Sequence, residues 1–165
     1  MLKPGDPAPP LEMRLRDGDG WRLQDAALDK LLLIVFYRGS FCSFCRRAMA
    51  DLDALVPQFA ARGISVVAIS TDTAEQAALL PVSNIVVGHG LRVEDARRFG
   101  LFMSRANRGG TVVHFAEPAL FLIRRDRTIY GIIQNSMSCG RPDLASLIEG
   151  LDILAARDFP LRGGD

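Results

Sequence analysis

The sequence predicts an α/β protein built as a three-layer sandwich, with a mixed β-sheet flanked by helices. Two continuous apolar runs, residues 31–36 and 64–70, are typical of strands that are buried on both faces of a sheet. The amphipathic pattern of residues 46–61 lies between them and predicts a helix. Strand, helix and strand in this order form a βαβ unit with parallel strands and a right-handed crossover.

One β-hairpin is predicted before this βαβ unit in the sequence and another after it. Residues 11–16 alternate between apolar and polar, and the turn at residues 17–20 leads into residues 21–23, which predicts an N-terminal β-hairpin extension. Towards the C-terminus, residues 119–123 and 128–133 predict a second antiparallel pair joined by a tight turn.

The remaining elements are predicted from capping residues and apolar spacing. They are a short helix ending at Leu80, a strand at residues 84–87, a helix at residues 93–99 and a final helix at residues 144–156. Residues 103–110 are rich in glycine and arginine without periodicity, and we interpret them as a loop. We expect residues 1–165 to form one domain, because no linker or repeat interrupts the pattern.

Composition and charge exclude several classes of function. With 48% hydrophobic and 24% charged residues, the chain has the balance of a globular protein with a substantial core. A net charge of +1 gives no electrostatic reason to expect binding to nucleic acid or to an anionic membrane. The N-terminus has no apolar segment typical of a secretory signal, and no run approaches the length of a membrane span. We therefore expect a cytoplasmic protein.

The most informative motif is a C-x-x-C formed by Cys42 and Cys45, which follows the first buried strand and opens the first long helix. A cysteine at a helix start faces unpaired backbone N–H groups and the positive end of the helix dipole, which favour thiolate over thiol. The thiolate is the species that attacks a disulfide or a peroxide. The motif therefore predicts a redox-active pair that cycles between dithiol and disulfide.

Two alternatives for these cysteines are a zinc site and an unreactive buried pair. A structural zinc site usually needs four Cys or His ligands, but the chain has three cysteines and two histidines, and these are scattered. A position between strand and helix, with Gly39 and Ser40 just ahead of the motif, argues against unreactive core residues. We therefore expect no metal and no cofactor, and a disulfide that is transient in a reducing cytosol.

Four stretches of this chain carry a resemblance to a known family. They are residues 3–9, the turn at residues 17–20, the motif with its flanks at residues 36–45, and residues 159–163. Through them the chain resembles the thioredoxin superfamily and, within it, the peroxiredoxin-like alkyl hydroperoxide reductase/thiol-specific antioxidant family in a C-x-x-C variant. The resemblance implies a thioredoxin-like fold and a thiol-dependent antioxidant oxidoreductase that reduces peroxides or hydroperoxides.

The resemblance leaves two orders of attack open. In the thioredoxin order, Cys42 attacks a substrate disulfide and the more buried Cys45 resolves the mixed disulfide. In the peroxiredoxin order, Cys45 attacks a peroxide and becomes a sulfenic acid, with which Cys42 condenses. Both orders end in the same disulfide, which thioredoxin, glutaredoxin or a small thiol would reset. A non-catalytic redox sensor is a further alternative. The resemblance also implies a possible homodimer, because peroxiredoxin-like proteins often dimerise.

Further residues are expected to shape the site. Gly39 and Ser40 form the loop between strand and helix, while Phe41 and Phe44 either lower the dielectric beside the sulfurs or simply pack in the core. The resemblance also implies a proline, often cis, that precedes the C-terminal hairpin and faces the cysteines. Pro118 occupies that position, and an ordinary trans proline at the start of an edge strand is the alternative.

The chain departs from the family where the family binds its peroxide. Aligned without gaps, Arg38 stands at the usual proline, Cys42 at the usual threonine and Cys45 at the usual peroxidatic cysteine. Glu117 and Pro118 stand where the usual arginine near the hairpin is expected. Arg38 or Arg46 is therefore a candidate replacement cation.

The third cysteine, Cys139, follows the last predicted strand. We interpret it as an unpaired loop or packing residue, and a distant resolving thiol is the alternative.

Overall fold

The computed structural model of the chain describes residues 1–157 and 159–164. In chain order, its strands are β1 (Glu12–Leu15), β2 (Gly20–Arg22), β3 (Leu31–Phe36), β4 (Ile64–Ile69), β5 (Val86–His89), β6 (Met103–Arg108), β7 (Thr111–Ala116), β8 (Ala119–Arg124) and β9 (Ile129–Gln134). Its helices are α1 (Ser43–Ala60), α2 (Ala74–Ala77), α3 (Val93–Arg98) and α4 (Leu144–Ala156).

A seven-stranded mixed sheet forms the middle layer, with the strand order β2-β1-β5-β4-β3-β8-β9. Strand β3 pairs parallel with β4 on one side and antiparallel with β8 on the other. Both predicted hairpins are present, as the antiparallel pairs β1–β2 and β8–β9. The prediction of a mixed sheet around a parallel β3–β4 pair is therefore confirmed.

Strand β3 lies at the centre of the molecule and packs against helices on both faces. Leu33 and Val35 belong to a buried cluster that includes residues of α1 and α4. Ile34 and Phe36 point the other way, into a second cluster that includes Ala96 of α3. Because side chains of a strand alternate between faces, one continuous apolar run serves both cores. This arrangement confirms the three-layer sandwich.

The hairpin β6–β7 replaces the loop that we predicted at residues 103–110, so that prediction is wrong. The two strands pair antiparallel, with Arg108 opposite Thr111, and form a separate two-stranded sheet. Gly109 and Gly110 connect them with φ values of 58° and 87°, as a two-residue hairpin turn requires. Much of the hairpin is exposed, so its sequence lacks the apolar alternation that reveals a half-buried strand.

Helix α1 begins three residues earlier than predicted, at Ser43, and Cys42 is its N-cap. Serine, threonine, aspartate and asparagine usually take this position because their side-chain oxygen accepts a backbone N–H. Here a sulfur does so instead, which places the first cysteine at the helix terminus. Among the described helices, none combines the length and apolar character needed to cross a lipid bilayer.

Replacement of Phe121 by alanine is expected to lower the free energy of unfolding by about 3–5 kcal/mol. The Phe121 side chain is fully buried, and its ring lies 5.7 Å from that of Phe36 and 5.3 Å from that of Phe99, centroid to centroid. Denaturant unfolding measures the loss. Phe102→Ala is the matched control, because that side chain is 51% exposed and its removal should cost less than about 1 kcal/mol. Equal losses in both variants would contradict this description of the core.

Candidate active site

The two cysteines of the motif lie together at the start of α1. The backbone N–H of Cys45 donates to the sulfur of Cys42 over 3.4 Å. Cys45 is completely buried, whereas 5% of Cys42 is exposed, and both are free thiols. The structure therefore presents the reduced form of a pair in which one sulfur is nearer the surface than the other.

The loop between β3 and α1 depends on glycine at position 39. Gly39 has a φ of 138°, in the region that side chains disfavour. A β-carbon there would lie 2.6 Å from Asp72 Oδ1 and 2.8 Å from the ring of Phe41. The Gly39 carbonyl accepts the N–H of Cys42 over 3.1 Å, which closes the turn. A tight turn that only glycine fits thus brings Cys42 to the end of the helix.

Asp72, which follows β4, fixes the same loop from the neighbouring strand. Its Oδ2 accepts the backbone N–H of Ser40 over 2.7 Å, and its own N–H donates to Ser70 Oγ over 3.2 Å. The Asp72 side chain is buried, with 4% of the residue exposed. Because a buried carboxylate needs hydrogen bonds, this contact stabilises one conformation of the loop. The sequence carries no local signal of this contact, because Asp72 lies 32 residues from Ser40.

Arg38 places a positive charge beside the sulfur of Cys42. One guanidinium nitrogen donates to Cys42 Sγ over 3.8 Å, and another lies 3.2 Å from the buried carboxylate of Glu117. The guanidinium carbon is 4.8 Å from the ring centre of Phe115, close enough for a cation–π contact. Glu117 is itself held by Ser104, whose hydroxyl donates to Oε1 over 2.7 Å. These contacts fix the arginine in its position near the sulfur.

A second arginine, Arg141, approaches the other sulfur. Its guanidinium donates to Cys45 Sγ over 3.1 Å. Arg141 lies between β9 and α4, 96 residues along the chain from Cys45. Sequence analysis missed this residue, because an arginine in a segment without periodicity carries no signal of a contact so distant in the chain.

The environment separates the pKa values of the two thiols. Burial raises the pKa of Cys42, but hydrogen bonds from the Cys45 thiol and backbone and from Arg38 outweigh it, so the net shift is downward. Burial is also the largest influence on Cys45, where it acts with the hydrogen bond to Cys42 to raise the pKa to about 11. A backbone hydrogen bond from Arg38 and, after it, the positive charge of Arg141 oppose this rise. The structure thus favours the thiolate on Cys42 and the thiol on Cys45.

Phe41, which precedes the motif, and Phe44, which lies between its two cysteines, are exposed rather than part of the core. Phe41 is 36% exposed and packs edge-on against Phe115, with ring centres 5.3 Å apart. Phe44 is 52% exposed and lines a cavity of about 640 Å³, together with Cys139 and Arg141. Their interpretation as plain core packing is therefore wrong.

Pro118 lines the same cavity as Phe44. No cis peptide bond occurs among the described residues, so the bond before Pro118 is trans rather than the cis form that the resemblance makes frequent at this position. A trans bond is the commoner state before proline by about 0.5–1 kcal/mol. The edge-strand alternative is also wrong, because β8 pairs with β3 and β9 on its two sides. The Pro118 carbonyl accepts the N–H of Asn135 over 3.0 Å.

Arg46, the other candidate cation, lies on the exposed side of α1. Among the described residues, its side chain donates to neither sulfur. Across residues 1–157 and 159–164, no three His, Cys, Asp or Glu side chains form a group able to hold a metal ion.

Replacement of Arg38 by glutamine is expected to raise the pKa of Cys42, because it removes a hydrogen bond and a positive charge that favour the thiolate. The alkylation rate of Cys42 by iodoacetamide, measured against pH, should shift to higher pH and fall severalfold at neutral pH. Arg46→Gln is the matched comparison, since its exposed charge is screened by water. An unshifted profile in Arg38→Gln, or an equal shift in both variants, would contradict this role of Arg38.

Comparisons with known proteins agree with this fold. Residues 4–132 match the model of the AhpC/TSA family. No protein with curated annotation gives a significant match.

Several solved structures of peroxiredoxins are similar to the chain. Peroxidoxin BcpB from Mycobacterium tuberculosis has a TM-score of 0.72 and 22% identity, covering 94% of this chain and 98% of that one. AhpC from Mycobacterium bovis has a TM-score of 0.75 and 16% identity, covering 98% and 97%. A peroxiredoxin 6 variant from Arenicola marina has a TM-score of 0.79 and 16% identity, covering 96% and 76%.

These likenesses confirm the thioredoxin-like fold in its peroxiredoxin form. The family match spans most of the chain, including the C-x-x-C motif and both strands of the central parallel pair. The expectation of a peroxiredoxin-like, thiol-dependent oxidoreductase is confirmed at the level of the family. The chain belongs to the AhpC/TSA family.

Proposed function

We propose that this protein is a thiol peroxidase in which Cys42 attacks the peroxide and Cys45 resolves the product. The observation that carries the proposal is the asymmetry of the two sulfurs. Cys42 accepts the N–H of Cys45 and a guanidinium N–H of Arg38, and its pKa is lowered. Cys45 is fully buried and its pKa is raised to about 11. A thiolate is the attacking species, so the better stabilised thiolate is the better candidate.

The reaction balances with the two cysteines and one thiol reductant. The Cys42 thiolate attacks the peroxide O–O bond, gaining one oxygen as a sulfenic acid while the other leaves as an alkoxide that takes a proton from water. The Cys45 thiol then attacks the Cys42 sulfur, and hydroxide leaves with the Cys45 proton as water. Two reductant thiols finally reduce the Cys42–Cys45 disulfide and become a disulfide themselves.

Arg38 supplies the positive charge for the first of these steps. Its guanidinium lies at hydrogen-bond distance from the attacking sulfur, so it also lies near the oxygen that this sulfur displaces. A fixed cation aimed at a developing negative charge lowers the barrier to its formation. Glu117 prevents the guanidinium from turning to solvent, through their ion pair at 3.2 Å. In this proposal Arg38 replaces the arginine that the family carries near its hairpin.

A second candidate function is the reduction of protein disulfides by the same Cys42 thiolate. It is favoured by the thioredoxin-like order of the pair. The attacking sulfur of Cys42 lies at the helix N-cap, and the buried sulfur of Cys45 lies about one turn further along the helix. Phe44, an exposed residue between the two cysteines, offers an apolar surface for a protein substrate. A redox sensor remains the outcome if oxidation occurs once without turnover.

The proposed setting is the cytoplasm, where a pool of reduced thiols can reset the disulfide. The proposed reductants are thioredoxin, glutaredoxin or a small thiol, which all act by thiol–disulfide exchange. We further propose that residues 1–165 carry the whole reaction as one domain, either alone or in a homodimer.

Separate serine variants of the two cysteines test the order of attack. Stopped-flow oxidation of the fully reduced protein by hydrogen peroxide should show a fast first step that Cys42→Ser abolishes and Cys45→Ser retains. Cys45→Ser should then accumulate a sulfenic acid on Cys42, because the resolving thiol is missing. Trapping with dimedone followed by peptide mass spectrometry identifies the modified residue.

Cys139→Ser is the matched control, because Cys139 is exposed and should affect neither step. A first step that survives in Cys42→Ser, with the sulfenic acid on Cys45, would overturn the proposed order. A slow reaction with peroxide beside a fast reaction with a protein disulfide would leave Cys42 as nucleophile and select the second candidate function.

A further inference from the structure

The Arg141 side chain is held in place by its own loop. One terminal nitrogen donates to the carbonyls of Ser138 and Gly140, over 2.9 Å and 2.7 Å. The other terminal nitrogen donates to Cys45 Sγ over 3.1 Å. The two carbonyls orient the plane of the guanidinium, so the second nitrogen is directed at the sulfur. Arginine suits this arrangement because its planar fork has several donors and no acceptor.

The loop that carries Arg141 is itself anchored to the strand beside the site. The N–H of Asn135 donates to the carbonyl of Pro118 over 3.0 Å, and the Asn135 side chain accepts the N–H of Met137 over 2.8 Å. The N–H of Gly140 donates to the carbonyl of Met137 over 3.1 Å. This chain of bonds links Pro118 to Arg141 and fixes the distance between the guanidinium and Cys45.

Cys45 needs such a contact in the second step of the proposed reaction. In the reduced protein it is a thiol, because burial raises its pKa to about 11. To attack the Cys42 sulfenic acid, its sulfur must lose its proton and carry negative charge in a fully buried position, where burial disfavours the charged form. Among the described residues, the titratable or charged side chains that act on Cys45 include Cys42, Tyr37 and Arg141, and of these Arg141 bears the positive charge. A backbone hydrogen bond from Arg38 also favours the Cys45 thiolate, but it carries no charge.

We propose that Arg141 is a catalytic residue for closure of the Cys42–Cys45 disulfide: it stabilises the negative charge that Cys45 Sγ gains on losing its proton, and the thiolate so formed attacks the Cys42 sulfenic acid. This inference rests on the proposed order of attack. The S–O bond of Cys42 breaks as the S–S bond forms, and the hydroxide leaves with the Cys45 proton as water. Arg141 neither gives nor takes a proton; it acts through its fixed charge and its N–H. The disulfide that results is neutral.

The test separates the two steps in the variant Arg141→Gln. Sulfenic acid formation on Cys42 should proceed at the wild-type rate, since Arg141 contacts only the other sulfur. Disulfide closure should slow by about tenfold or more, as expected for loss of a hydrogen bond to a developing charge. Because the sulfenic acid then persists, Cys42 should be over-oxidised to sulfinic acid at lower peroxide concentrations. Dimedone trapping and mass spectrometry follow each species over time.

Four further measurements distinguish catalysis from a structural effect. Arg141→Lys should recover part of the closure rate, because it restores the charge without the fork. The pH profile of closure should move to higher pH in Arg141→Gln, since Cys45 then needs more alkaline conditions to lose its proton. Arg97→Gln, which removes an exposed arginine of α3, should change neither step. Thermal melting of each variant shows whether the fold is kept.

Several results would overturn the inference. Closure at the wild-type rate in Arg141→Gln would show that the contact has no catalytic role. An unshifted pH profile, or no recovery in Arg141→Lys, would reduce Arg141 to a residue that holds the loop. A slower first step in Arg141→Gln, with the sulfenic acid on Cys45, would overturn the proposed order of attack as well. A slower first step with the sulfenic acid still on Cys42 would overturn this inference alone.

Discussion

The hydrogen bond from the backbone N–H of Cys45 to the sulfur of Cys42 determines the chemistry of the site. It makes a cysteine the N-cap of α1, so the first sulfur meets the unpaired N–H groups and positive end of the helix. The second cysteine lies one turn further along, under the helix and against the central sheet. One helix terminus thus holds two thiols whose pKa values are shifted in opposite directions.

The two thiols also differ in the charged side chain that contacts them. Each sulfur has its own arginine, Arg38 for Cys42 and Arg141 for Cys45. Arg38 is fixed by a buried carboxylate and an aromatic ring, while Arg141 is fixed by two loop carbonyls. The family's proline, threonine and arginine are absent from their usual positions, but positive charge is present in space beside both sulfurs. The chain therefore keeps the electrostatic requirement of thiol chemistry with different residues.

Much of the fold was predictable because its strongest signals are local. The apolar run of β3 and the spacing of α4 each reflect burial of a regular element, and both elements appear where the pattern placed them. The hairpin β6–β7 was missed because it is largely exposed, and exposure removes the periodicity on which prediction relies. Helix α1 was predicted to start too late, since cysteine is not a usual N-cap.

The site was predictable in its sulfurs but not in its surroundings. The spacing of Cys42 and Cys45 is a local signal, whereas Glu117, Asp72 and Arg141 reach the site through the topology of the sheet. Contacts across so many residues leave no pattern in a single sequence. The arginine that contacts each sulfur is therefore known only from the structure, where Arg46 is exposed and Arg141 donates to Cys45.

The assignment of the thiolate to Cys42 is tested most directly by a pH titration of both cysteines in the reduced wild-type protein. Isotope-labelled cysteine β-carbons, observed by NMR and assigned through single serine variants, report each thiol separately. If Cys42 is the nucleophile, its signal titrates below the pH range of an ordinary thiol, and that of Cys45 changes only under strongly alkaline conditions. Titration of Cys45 before Cys42 would contradict the assignment and return the attacking role to the buried sulfur.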